Sequence, residues 1–320
     1  MQREKENDMI NRKLGRTNLN VSPVCVGTSA LGSFPAQYGY EVDTETAVST
    51  IRRVFDGPFN FVDTSNEYGG GDSERRIGQA IRENGGVPAD FVIATKVDPL
   101  PGSLDFSGDR VRKSVEESLE RLGLDRLQLV YMHDPEKISF EEGTARGGPL
   151  EALLALREQG VIQYLGVAGG PIELELQYLA TDAFDVVISH NRFTLVEQTA
   201  EPLLDDAAAR GVGFVNAAPF GGGMLVKGPD VVPTYCYAPV GDATIARVKE
   251  MQRLCETHGV PFAAAALQFS LRDPRVASTI VGMSEPGRVD QTAGLADWPI
   301  PSELWDELLP LARQGRHGVE

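Results

Sequence analysis

Eight short apolar runs, each followed by a stretch with helical spacing, constrain this chain more than any other feature. The runs are Val24–Gly27, Phe59–Val62, Phe91–Thr95, Leu127–Met132, Tyr164–Val167, Phe184–Ser189, Val212–Ala217 and Ser278–Val281. Each is almost continuously apolar, as a strand is when helices cover it on both faces. Strands that alternate with helices imply a parallel sheet. At 320 residues, closure of that sheet into one barrel is the economical architecture. The expected fold class is therefore α/β, a single (β/α)8 TIM barrel over residues 10–320. Residues 12–23 should form a hairpin across the barrel floor, turning near Gly15 and Asn18–Asn20. The charged stretch at 1–9 is expected to be a disordered tail, with Met9 an alternative start.

Helix punctuation supports the alternation. Asp43–Thr44 opens a helix with Ala47, Val48, Ile51, Val54 and Phe55 on one face, and Gly57–Pro58 stops it. Ser73 is placed to cap the next helix, whose inward residues are Ile77, Ala80 and Ile81. Valines and leucines at 111, 115, 119 and 122 mark another. Three connections that follow strands are longer than turns require: Ser29–Tyr40, Pro135–Gly148 and Pro219–Asp242. Long loops in a compact domain are usually functional, so these are expected to wall a site on the rim that the strands point towards.

Three of the runs lead into polar residues: FNFVDTSNEYG into Asp63, FVIATK into Lys96 and LQLVYMHD into His133. Polar strand ends on one rim of a parallel barrel mark the face where active sites sit. Tyr68, five residues past Asp63 and just before Gly69–Gly71, can swing over that rim. A phenol has an ordinary pKa near 10 and is a poor acid at neutral pH. A nearby Lys96 ammonium, held charged by Asp63, is expected to favour the phenolate. A move of roughly 2–3 units towards neutrality corresponds to about 3–4 kcal/mol. His133 can share a proton with the same reacting oxygen. Such a set serves a carbonyl–alcohol pair and needs a hydride partner that no amino acid supplies, for which a nicotinamide is the natural choice. Read singly, each residue has a plainer role: His133 as a core histidine, Tyr68 as packing, Asp63 as a helix cap. Lys96 reaching to solvent would leave Asp63 without an obvious partner.

From about Arg12 to Arg313 the chain resembles the aldo-keto reductases. The segments RKLGRTNLNVSPVCVGT, FVDTSNEYGGGDSERRIGQAI, ATK, RLGLDRLQLVYMHDP and GVIQYLGVAG follow that family's pattern in order. The resemblance implies Asp63, Tyr68, Lys96 and His133 as a catalytic tetrad, together with a nicotinamide cofactor. It also implies cofactor contacts at Ala168, Gly169, His190, Asn191, Ala217, Pro219, Gly221, Gly222, Gly223, Gly282, Met283, Ser284 and Arg288. Phe34, Tyr38, Tyr40 and Phe220 are the candidate substrate walls.

The chain departs from the family pattern where the nicotinamide would lie. Gly166-Val167-Ala168-Gly169 replaces the usual Ser-Asn, so the side-chain bonds to a carboxamide are lost. His190–Asn191 stands where a Gln is usual, and either side chain could bond an amide. The aromatic that commonly stacks on the ring falls near Ala217. The Gly221–Gly223 run is either a phosphate-approaching loop or a flexible turn. No GxGxxG or GxxxxGK[ST] pattern supports another nucleotide site. After the last strand, Glu285 and an apolar Met283 stand where basic residues would welcome a 2′-phosphate. The cofactor is therefore expected to be NAD, with NADP possible.

YMHDPE, GVAGGP and NAAPFGGGML are similar to the bacterial branch that oxidises free aldoses at C1. The implied reaction converts an aldose of the L-fucose or D-threo-aldose type to its lactone, or pyridoxal to 4-pyridoxolactone. A general NADPH-dependent aldehyde or ketone reductase is the nearest alternative. A non-catalytic cofactor-binding regulatory subunit is the alternative from another class. The net charge of −16 argues against nucleic acid or anionic membranes as partners and leaves a small sugar, aldehyde or alcohol as substrate. The start MQREKENDMI lacks a signal-peptide core. Cys25, Cys236 and Cys255 have no metal-type spacing, so a reducing cytoplasm is the expected setting. The Asn20-Val21-Ser22 sequon then carries no meaning. Oligomeric state is left open by the sequence.

Overall fold

The computed structural model describes residues 10–100, 102–236 and 238–319, so the expected tail at 1–9 lies outside the described residues. A two-stranded hairpin comes first, β1 (Arg12–Lys13) with β2 (Asn20–Val21). The barrel strands follow: β3 (Val24–Gly27), β4 (Phe61–Asp63), β5 (Val92–Val97), β6 (Leu127–His133), β7 (Ile162–Gly169), β8 (Val186–His190) and β9 (Gly213–Ala217). A second small hairpin, β10 (Thr234–Tyr235) with β11 (Ala238–Pro239), precedes the last barrel strand, β12 (Val276–Gly282). All neighbouring barrel strands are parallel, and β12 closes the ring between β9 and β3.

Strand side chains alternate between two cores. Val130, Met132, Val62, Ile93 and Val97 face outward into the layer under the helices. Cys25, Phe61, Val92, Ala94, Leu129, Tyr131, Ile188 and Val215 fill the barrel interior. Leu14, Leu19 and Val21 of the first hairpin join that interior cluster, so the hairpin plugs the floor as its apolar residues predict. Burying each such Leu or Phe contributes roughly 1.5–3 kcal/mol relative to exposure.

Most helices fall where their apolar spacing places them, as in Thr44–Phe55, where Asp43 accepts from the Thr46 N–H at 2.7 Å. Ser73 is a correction. The helix Asp72–Glu83 starts after a left-handed Gly71, and Ser73 lies inside its first turn without capping it. Its hydroxyl instead bonds to Thr28 and Thr64, joining the ends of β3 and β4. The three long connections are also more ordered than turn-rich composition suggests. Pro135–Gly148 carries the helix Phe140–Thr144, with Ser139 and Glu142 in a reciprocal capping box. The segment after β9 holds the turn Gly221–Gly223, the helix Met224–Lys227 and the β10–β11 hairpin.

Candidate active site

The same alternation that builds the interior core sets the rim. Phe61 points inward, and so therefore does Asp63; Val92 and Ala94 carry Lys96; Leu129 and Tyr131 carry His133. On the remaining five strands the inward series ends at Gly27, Ala168, His190, Ala217 and Gly282. The candidate chemical and cofactor residues thus share one ring at the C-terminal mouth. Surface hollows of about 600 and 820 Å³ lie elsewhere, among the outer helices and under the floor, and one of about 720 Å³ opens beside Gly32, Phe34 and Gly69. Chemistry rather than concavity singles out this rim.

Lys96 Nζ donates to Asp63 Oδ1 at 2.5 Å, to the Thr64 carbonyl at 2.8 Å and to the Tyr68 hydroxyl oxygen at 3.1 Å. Its three N–H groups are thereby matched to three acceptors. Because Tyr68 accepts from Lys96, its own hydrogen is free for a further oxygen. The His133 ring approaches the Tyr68 ring edge-on, with centroids 5.9 Å apart. All four predicted residues are brought together.

Tyr68 is held there by backbone contact. A Cβ on Gly32 would lie 2.7 Å from the Tyr68 carbonyl carbon, and one on Gly69 would lie 2.0 Å from the Gly32 oxygen. Only two facing glycines allow the Ser29–Gly32 turn to lie against this segment. Gly69, Gly70 and Gly71 all adopt left-handed conformations, which glycine reaches without strain.

Burial governs the electrostatics. It pushes the Tyr68 hydroxyl well above its ordinary value, and the pull of Lys96 does not overcome it. The expected shift of the phenol towards neutrality is therefore corrected, because desolvation of a buried phenolate costs more than one ammonium returns. Burial also works to lower Lys96, but Asp63 and Tyr68 outweigh it and keep the ammonium charged. Burial raises the Asp63 carboxyl against the pull of Lys96.

Two carboxyl groups near the rim escaped the sequence reading. Asp98 lies one residue past the end of β5, and its Oδ1 is 2.5 Å from His133 Nδ1. The period-2 series 92, 94, 96, 98 was the available signal. Glu175 is fully buried on the helix Ile172–Leu179 and accepts from the Gly169 N–H at 3.1 Å. Burial drives its carboxyl well above the usual range. A glutamate within the apolar face of IELELQYL offered only a faint sign.

The other expected contacts divide. Asn191 Nδ2 and His190 Nδ1 are 3.0 Å apart, and burial lowers the His190 pKa. Ala168, Ala217 and Gly282 leave room at the mouth. Gly221, Gly222 and Gly223 are all left-handed, near Pro219. The Met283 side chain is fully buried in the outer core, so it cannot face a ribose as expected, because one residue past inward Gly282 the strand points outward. Ser284 is half-buried, and Arg288 pairs with Glu285 at 3.5 Å in the first turn of Pro286–Ala296. Tyr38 bonds Ser29 through its hydroxyl at 2.8 Å and tilts against Tyr40, which is exposed. Phe34 is half-buried, and Phe220 packs on the outer core.

Residues 23–311 match the family model described as the aldo/keto reductase family. The chain belongs to that family. It is 33% identical to an L-galactose dehydrogenase of Arabidopsis thaliana over 88% of this chain and 86% of that protein. It is 31% identical to a D-threo-aldose 1-dehydrogenase of Pseudomonas sp over 82% and 87%. A solved aldo-keto reductase of Bacillus halodurans, in its holo form, superposes with a TM-score of 0.76 at 22% identity, covering 96% of this chain and 99% of that one.

The chain is accordingly an NAD(P)-dependent oxidoreductase of the aldo-keto reductase type. The residues at the rim fit a nicotinamide dinucleotide in kind. The inward positions of the neighbouring strands carry small residues, Ala168, Ala217 and Gly282. His190 and Asn191 offer amide partners. In the turn Gly221–Gly223 the Gly221 and Gly223 N–H groups are bonded to the Ala218 and Phe220 carbonyls at 3.3 and 3.0 Å, so the turn offers a diphosphate at most the Gly222 N–H. When bound, that group supplies the hydride acceptor or donor. Among the described residues no helix is long and apolar enough to cross a membrane.

Proposed function

We propose that this aldo-keto reductase oxidises a free aldose at C1 with NAD, Tyr68 exchanging the proton of the reacting oxygen. One observation carries the reading: a single ammonium, Lys96 Nζ, is bonded at once to buried Asp63 and to the Tyr68 hydroxyl. A Tyr68 oxygen fixed from behind by Lys96 points its remaining valence at the mouth. In oxidation, C1 would give up a hydride to the bound nicotinamide while the protonated Tyr68 hydroxyl passes its own proton to His133 and takes the C1 hydroxyl proton in its place, so that the ring product is a lactone. Asp63 keeps Lys96 charged, and Lys96 offsets the charge that appears on the phenol oxygen. Ala168, Gly169, His190, Asn191 and Ala217 would flank the nicotinamide. Pro219 and Gly221–Gly223 would lie over the diphosphate, with Gly282, Ser284 and the Met283 backbone towards the adenosine.

The substrate class is supported by what the similar proteins are named for, L-galactose and D-threo-aldoses. It is also supported by the polar rim beside His133, where Lys137 pairs with Glu67 at 3.3 Å and Asp134 at 3.2 Å. Such groups suit a hydroxyl-rich molecule better than an apolar aldehyde. NAD is favoured because Glu285 places a carboxylate beside Arg288 and neutralises it. Pyridoxal, giving 4-pyridoxolactone, is a second substrate of the same chemistry.

A second reading has its own observation. Burial keeps Tyr68 protonated, which prepares it as the acid of a carbonyl reduction with NADPH. The deciding experiment offers L-fucose, D-arabinose, L-galactose and pyridoxal with NAD or NADP, and monitors nicotinamide reduction. NAD-linked turnover of one sugar, lost in Tyr68→Phe, supports the aldose reading. Carbonyl reduction with NADPH and no oxidation of any of the four would replace it by the second.

A further inference from the structure

We propose that Asp98 is the positioning residue for His133, fixing the ring with Nδ1–H towards Asp98 and directing Nε2 to the reacting oxygen. This deepens the reading above and rests on its placement of the reacting oxygen at the rim.

Asp98 is fully buried, and every polar atom it has is engaged. Oδ1 faces His133 Nδ1 at 2.5 Å. Oδ2 accepts from the Ser65 hydroxyl and, at 3.2 Å, from the Glu67 N–H. The Asp98 carbonyl accepts from Arg110 Nε at 3.1 Å, and its N–H lies 3.4 Å from Ser114 Oγ. A buried carboxylate so bonded stays ionised: burial opposes this, but His133 and the Ser65 bond outweigh it and bring its pKa to about 2. An ionised carboxylate has only acceptors, so the proton between it and His133 belongs to Nδ1.

That assignment leaves Nε2 facing the mouth. Its nearest charged neighbour is Asp134 Oδ1 at 3.5 Å, too long for a well-formed hydrogen bond. The arrangement follows a general rule in which a carboxylate on one imidazole nitrogen sets the chemistry of the other. The charged and titratable groups around the ring are Asp98 from the end of β5, Glu67 from the segment after β4, Asp134 and Glu136 beyond β6, His190 of β8, and Asp63, Tyr68 and Lys96 from across the mouth. Burial works against a cationic ring, yet Asp98, followed by Asp134, raises the His133 pKa against the opposition of Lys96. Asp98 is the partner in direct contact. It therefore decides both the tautomer and how readily Nε2 carries a proton.

The test is read on the protein itself by ¹⁵N NMR of its four histidines, with His133 assigned through His133→Gln. In the unsubstituted protein above its titration, His133 is expected as the Nδ1–H tautomer. In Asp98→Asn the His133 titration should fall by at least about one pH unit. The corresponding limb of the kcat profile should move with it, while KM changes less than twofold. An Nε2–H tautomer in the unsubstituted protein, or a His133 titration unmoved in a folded Asp98→Asn, overturns the proposal. If Asp98→Asn unfolds, the tautomer read on the unsubstituted protein still decides, since His133→Gln serves only to assign the resonance. The NMR result also stands whether or not any sugar is turned over, so failure of the substrate reading is seen separately.

Discussion

Gly166 on β7 gives the Tyr131 ring its place: a Cβ at 166 would lie 2.1 Å from Tyr131 Cδ1. The two strands are adjacent, with Tyr131 and Gly166 in register, and Tyr131 fills the interior just below the rim. A glycine in the middle of a strand weakens it, and here the cost is offset by a large ring under Lys96 and His133. Gly166→Ala should destabilise the protein by about 1–3 kcal/mol through overpacking. A thermal melt checks this, and an unchanged midpoint would mean that the ring can move aside.

The Tyr131 hydroxyl is buried with no protein partner. Removing an unsatisfied buried polar group recovers desolvation cost, so Tyr131→Phe should be neutral or stabilising by up to about 1 kcal/mol. Loss of stability in chemical denaturation would show that an ordered water or the Asp63 carboxyl bonds it.

Asp63 and Lys96 form a buried pair, each 3% exposed in the side chain. Lys96→Met leaves a buried carboxylate without its counter-charge and should cost about 3–5 kcal/mol, whereas Asp63→Asn with Lys96→Met should cost less than the sum of the two single changes. Additive losses across that double-mutant cycle would count against the pairing.

Tyr68→Phe should lower kcat by about 10²–10⁴-fold. Cofactor affinity, followed by quenching of protein fluorescence, should hardly change, because the substitution removes one hydroxyl and keeps the ring. A large loss of cofactor binding would point to a structural role for Tyr68 instead.

The Asp98–His133 pair makes stability depend on pH. Asp98 is depressed from 3.8 to about 2, so its contribution is complete above about pH 4 and is lost as pH falls through 2. His133 is raised above 6.5, so its contribution is complete below that value and fades as pH rises through the raised pKa. The pair therefore stabilises most between about pH 4 and 6.5. Melting midpoints of the unsubstituted protein and Asp98→Asn should differ most in that window and converge at higher pH.

Glu285→Gln tests the cofactor preference. Removing the carboxylate leaves Arg288 bonded to Gln291 but without a counter-charge and lifts a repulsion from a 2′-phosphate, so the NADP-to-NAD ratio of kcat/KM should rise about tenfold. An unchanged ratio would place the adenosine ribose away from this turn.

Much of this was legible in the chain. Eight apolar runs separated by amphipathic helices determine a closed parallel barrel, because each strand must be covered on both faces and none can be left at an edge. Asp63, Lys96 and His133 were visible because a polar residue has little reason to end such a run, and alternation alone turns all three inward. Tertiary structure decided the rest. The protonation of Tyr68 depends on how completely neighbouring segments exclude water, and the charge of Lys96 by itself suggested the opposite direction. Met283 passed for a cofactor contact until the strand's alternation turned it into the core. Asp98 acquires meaning only where β5 and β6 lie side by side, 35 residues apart in sequence and one hydrogen bond apart in space. Burial and long-range contact set these properties, and a linear sequence records neither directly.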